Sequence, residues 1–140
     1  LAGIVAVPFL GMYSASKFAL EGYAEALRHE AKPFNIQVSL IEAGFLNTPL
    51  RTKRQSANQQ IAAYDVWRKR AFDRILGNEE QGPPSRLVAD TTLHIIEAKA
   101  QQLRYIIGKE ARLTTRLRRW MPQSVFEQGT RRSFSLDKET

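Results

Sequence analysis

Tyr13 and Lys17 stand four residues apart in the stretch MYSASKFALEG, with only serine and alanine between them. On a helix, positions i and i+4 share a face and converge on one ligand. A free phenol titrates near pH ~10 and is a poor base in neutral water. A nearby ammonium favours the phenolate, and bringing a phenol to roughly 7–8 takes about 3–4 kcal/mol of differential stabilisation. A phenol tuned in this way donates a proton to a carbonyl oxygen or takes one from an alcohol. The small side chains of Ser14, Ala15 and Ser16 read as room for a flat ligand. By composition alone, an ordinary tyrosine beside a solvated lysine fits the pair as well.

The elements that must position this pair follow from the surrounding pattern. Residues 12–32 read as a helix, rich in Ala, Leu, Glu, Lys and Arg, with Phe18, Ala19, Tyr23, Ala26 and Leu27 recurring at helical steps. Pro33 and Asn35 end it. The β-branched run IQVSLIEAG, 36–44, reads as a buried strand closed by Gly44. Helix, tight turn and strand in that order predict part of an α/β parallel sheet. Residues 58–76 read as a helix with Ile61, Tyr64, Trp67, Ala71 and Ile75 on one side and Gly77 as its stop. The stretch GNEEQGPPS is a loop by composition. Ser85 can cap the next helix, whose stripe is Leu87, Val88, Thr92, Ile95 and Ile96. LRYIIG, 103–108, reads as a second short strand.

In this setting GMYSASKFALEGYAEALRHE followed by IQVSLIEAGFLNT resembles the short-chain dehydrogenase/reductase family, most clearly over residues 1–48 and more loosely to about residue 108. The resemblance implies a partial Rossmann-like fold, a doubly wound parallel α/β sheet of which this chain holds the C-terminal half, without the N-terminal strands. It implies hydride transfer between NAD or NADP and an alcohol or ketone. Tyr13 would be the catalytic acid/base and also lie against the cofactor; Lys17 would hydrogen-bond the nicotinamide ribose and assist the tyrosine. The family's P-G-x-x-x-T turn reads AGFLNT here, with Ala43 in place of proline. Ala43, Gly44, Phe45 and Thr48 would form the cofactor turn, at a strand end where an open α/β sheet binds ligands. Leu46, Leu50 and Trp67 would touch an apolar or lipid-like substrate, with Tyr64 and Phe72 as further candidates. Packing between lid and core explains any one of these equally well.

The division implied is 1–48 for the active-site helix, strand and turn, 49–84 for a substrate lid, 85–108 for a helix and last strand, and 109–140 for a basic tail. The family's glycine-rich phosphate turn, N-A-G motif and catalytic serine lie upstream of its Y-x-x-x-K. The serine normally falls thirteen residues before the tyrosine, immediately ahead of Leu1. The expectation is therefore a chain with half a cofactor site and no appreciable activity alone. A non-catalytic truncated product, or a peripheral membrane-binding module using residues 111–121, is the alternative. NAD and NADP are not distinguished, because the discriminating residue follows an upstream strand.

Composition bounds the rest. The chain has 140 residues, 43% of them apolar and 25% charged, which is globular rather than disordered. It has no cysteine, which removes disulfides, thiolate nucleophiles and cysteine-ligated metals. His29 and His94 have no partners at ligand spacing, so no metal site is expected. The opening run LAGIVAVPFLG lacks a basic region and is broken by Pro8, so neither a signal peptide nor a membrane span is expected, and the chain reads as cytoplasmic. The net charge is +7, concentrated over 104–132, where eight Arg and Lys face Glu110 and Glu127. Residues 111–121 place Leu113, Leu117, Trp120 and Met121 opposite Arg112, Arg116, Arg118 and Arg119. Packing of that apolar face on its own domain is the favoured reading; contact with an acidic membrane surface is the other. No aromatic-interleaved basic motif points to nucleic acid. A small-molecule substrate is the expected partner, with homo-oligomerisation open.

Overall fold

The computed structural model describes residues 1–49 and 59–137. It is a mostly helical α/β structure around a two-stranded parallel sheet. Helix α1 (Gly11–Ala31) is followed by a single 3-10 turn (Lys32–Phe34) and strand β1 (Leu40–Ala43). A second 3-10 turn (Ala62–Tyr64) leads into α2 (Asp65–Glu80), and α3 (Arg86–Glu97) precedes strand β2 (Arg104–Ile107). The chain closes with α4 (Lys109–Trp120) and α5 (Gln123–Ser133). β1 and β2 pair in parallel with Leu40 opposite Arg104 and Ala43 opposite Ile107. Parallel pairing demands a long connection, here carrying α2 and α3.

Helix α1 ends where Pro33 enters the 3-10 turn and Asn35 adopts a left-handed conformation at φ 56°. Its packed face is not the apolar stripe expected from the sequence. Ser14, Ala24 and Ala31 are buried, whereas Phe18 and Tyr23 are exposed and Met12 is 87% exposed. Polar bonds select that orientation. Arg28 donates to the carbonyl oxygen of Val38 and, at 2.7 Å, to that of Gln101, tying the helix to the entries of both strands. Arg104 of β2 donates to Glu21 at 3.0 Å and to Glu25 at 2.6 Å.

Several boundaries differ from the sequence reading. Gly77 does not stop α2, which runs on to Glu80, because its backbone stays helical. Ser85 occupies the N-cap position of α3 without a side-chain capping bond. The strands are only four residues each, shorter than the apolar runs that carry them, and they pair over their whole length. Ala71 and Ile75 of α2 and Phe134 form the small core, with Val7, Leu10, Phe45, Phe72 and Leu136 packed against it. Phe134 and Leu136, just beyond α5, therefore pack back onto α2. Among the described residues no helix is long and apolar enough to cross a membrane.

Candidate active site

The first turn of α1 carries Tyr13 outward, 47% exposed, while Ser14 beside it is buried. The Ser14 hydroxyl accepts a hydrogen bond from the Val7 amide at 3.1 Å. It thus anchors the segment before the helix and does not make room for a ligand. Ser16 donates to the Tyr13 carbonyl oxygen at 2.7 Å. One turn on, the half-buried Lys17 places its Nζ 5.4 Å from the centre of the Tyr13 ring, within cation–π range. Phenol and ammonium thus share one face, as their spacing requires.

The turn after β1 comes to the same place. The Gly44 amide donates to the Ile107 carbonyl oxygen at 3.1 Å, extending the ladder by one bond. A Cβ on Gly44 would stand 3.3 Å from the Ala111 methyl, so α4 packs directly beneath the turn. Asn47 bridges to Pro84, its amide donating to the Pro83 carbonyl oxygen at 3.0 Å. Gly82 lets that loop close: a Cβ there would fall 2.6 Å from the Phe45 carbonyl oxygen. Gly82 and Ala111 were missed from the sequence. Both act through small size, which carries no chemical signature.

Tyr13, Lys17, Ala43, Gly44, Phe45, Leu46 and Thr48 line one cleft of about 1040 Å³. Its apolar wall includes Phe9, Leu10, Tyr64 and Phe72, and the Phe9 and Tyr64 rings meet edge to face at 6.3 Å. Trp67 is not among the lining residues; its ring lies under the Arg70 guanidinium at 4.9 Å. Leu50 lies outside the described residues. The cleft is of a size that holds small ligands and cofactors. The phenol, the ammonium and the Thr48 side chain bring polar groups suited to a sugar or amide to the cleft, and Gly44 lines it with α4 packed close behind. These residues fit a nicotinamide nucleotide.

Glu42 is a feature the sequence did not announce. It lines the cleft yet is buried, with Arg104 Nε 3.1 Å from Oε1. That Nε gives its hydrogen to Glu21, so neither Glu42 oxygen receives a hydrogen bond. Burial, and after it the Glu21 carboxylate, push the Glu42 carboxyl above its ordinary value, against the pull of Arg104 and the Leu1 ammonium.

Residues 1–59 match the family model for short chain dehydrogenases. The chain matches a fragment of the short-chain dehydrogenase/reductase family. It is 34% identical over 128 residues to the probable short-chain type dehydrogenase/reductase VdlC of Helicobacter pylori, covering 91% of this chain and 47% of that protein. It is 30% identical to the 3-ketodihydrosphingosine reductase of Bacteroides thetaiotaomicron, over 97% of this chain and 52% of that one. With the NADPH-dependent 1-acyldihydroxyacetone phosphate reductase of Saccharomyces cerevisiae it shares 29% identity, over 99% and 47%. The chain spans about half the length of these curated relatives. The two-stranded parallel sheet is a partial Rossmann-like fold of this family.

Proposed function

We propose that this chain supplies the proton-transfer side of an NAD(P)-dependent oxidoreductase that interconverts an alcohol and a ketone. The observation that carries the reading is the convergence of Tyr13, Lys17 and the 43–48 turn on one cleft. When bound, the nicotinamide supplies or accepts the hydride. Tyr13 gives its hydroxyl proton to the ketone oxygen, or takes the proton from the alcohol in reverse. Lys17 stabilises the phenolate this leaves and binds the ribose. Thr48 and the backbone around Phe45 hold the carboxamide end. NAD and NADP both remain cofactors of this reading.

The substrate in this reading is apolar or lipid-like. Phe9, Leu10, Leu46, Tyr64 and Phe72 give the cleft an apolar wall. The relatives named for reducing 3-ketodihydrosphingosine and 1-acyldihydroxyacetone phosphate point the same way. The test is Tyr13→Phe in the protein extended to the length of its relatives. Turnover should fall by about 10²–10⁴-fold while NAD(P)H binding stays within a few-fold, as loss of a general acid requires. Equal loss of binding and turnover would make the tyrosine a structural residue.

A further inference from the structure

Helix α4 packs with the opposite face from the one its sequence favours. Ala111 is buried, and Thr114, Thr115 and Arg118 are half-buried. Arg118 is held inward, donating to Gln123 at 2.6 Å with its guanidinium 5.3 Å from the Phe126 ring. The apolar residues point away from the fold: Leu113 is 58% exposed, Leu117 40% and Trp120 79%. Exposed Lys109, Arg112, Arg116 and Arg119 flank that stripe on one side, and Glu110 is the helix's sole acid. Arg112 and Arg116 also line a groove of about 770 Å³ between α4, β2 and α3, with His94 and Asp90 across it. Asp90 faces Arg86 at 3.8 Å. Among the described residues, neither Lys109 nor Arg116 has an ion-pair partner.

We infer that this face of α4 docks on an anionic lipid surface. Charge and apolarity together select that occupant. A second copy of the chain, related by a two-fold axis, would set these cations against their equals. Nucleic acid would answer the cations and leave Leu113, Leu117 and Trp120 in water. A helix with a Leu/Trp stripe bordered by Lys and Arg lies in the plane of a bilayer interface, its apolar side chains in the acyl boundary and its cations among the headgroups. The indole of Trp120 suits that boundary.

The experiment is co-sedimentation of the full 140-residue chain with phosphatidylserine–phosphatidylcholine vesicles and with pure phosphatidylcholine vesicles, at low and high salt. Trp120 emission is followed in a Trp67→Phe background. Binding to the anionic vesicles alone is expected, weakening as salt rises, with a blue shift of Trp120. Arg112→Gln, Arg116→Gln and Arg119→Gln together should weaken binding on the order of a hundredfold, since each cation near the surface is worth about 1 kcal/mol. Leu113→Gln with Leu117→Gln should abolish the blue shift. Circular dichroism checks the fold of each variant, and Trp120→Ala, at the most outward position, serves if either fails to fold. No binding at low salt, or equal binding to both vesicle types, would overturn the inference. So would a dimer in which Trp120 is buried without lipid, or duplex DNA binding indifferent to the leucine changes.

Discussion

Gly82 and Gly77 respond differently to an added methyl group. A Cβ on Gly82 meets the Phe45 carbonyl oxygen at 2.6 Å, whereas one on Gly77, inside α2, meets nothing within 4 Å. Gly82→Ala should therefore lower stability by about 1–3 kcal/mol, the cost of overpacking. Gly77→Ala should raise it by about 1 kcal/mol, the helix-propensity difference. Thermal melts of the two variants read this directly, and a shift of the same sign in both would contradict it. Glu42 sets a pH dependence. Its carboxyl titrates higher in the folded chain than in the unfolded one, first because it is buried. The folded state then holds the proton more tightly, so this contribution is present below the ordinary glutamate range and is lost as pH rises through the raised value. Glu42→Gln should flatten the melting temperature against pH across that window and raise it at neutral pH. Parallel profiles for the two proteins would show that the carboxyl does not titrate there. That Tyr13 and Lys17 share one face was legible from sequence because the i, i+4 spacing on a helix requires it. Glu42 was not, because a glutamate in a strand announces nothing until its neighbours are known.

At the scale of elements, α1 is held to the sheet by guanidinium groups more than by apolar packing. Arg104 joins Glu21 and Glu25 of α1 to Glu42 of β1, and Arg28 spans both strand entries. Arg104→Met should cost about 2–3 kcal/mol. That is less than breaking a fully buried pair, because the guanidinium side chain is 36% exposed and partly screened. Urea titration measures the loss, and Glu42→Gln in the same chain should recover part of it by removing the stranded carboxyl. An Arg104→Met variant as stable as the parent would mean the cluster only decorates the surface. The order of α1 to α4 and of the two strands was readable from periodicity, whereas α5 was not read from the sequence. The packed faces of α1 and α4 were not, since periodicity shows that a stripe exists and not which way a helix turns.

At the scale of the molecule, the core is small and the apolar face of α1 lies open, with Phe18, Leu20 and Tyr23 exposed. Tyr13, Lys17 and Thr48 bring polar groups to the cleft, which in the proposed reading meet the nicotinamide end. The relatives, at about twice the length, carry as much chain again. The purified 140-residue chain should accordingly give no steady oxidation of NADH or NADPH with lipid-like ketones at neutral pH. Absorbance at the nicotinamide band checks this, and sustained turnover would place the whole catalytic apparatus in this chain.

The sequence by itself determined that Tyr13 and Lys17 share one helix face, the order of α1 to α4 and of the two strands, and the turn at Gly44. Each is a local property: a spacing, a periodicity, or a backbone need within a few residues. Only the tertiary structure decided that Ser14 anchors the Val7 amide, that Gly82 and Ala111 yield space to the turn, and that Trp67 stands off the cleft. It also decided that Leu113, Leu117 and Trp120 face outward. These depend on what lies across a contact, and that is fixed by distant residues competing for the same space and the same hydrogen bonds.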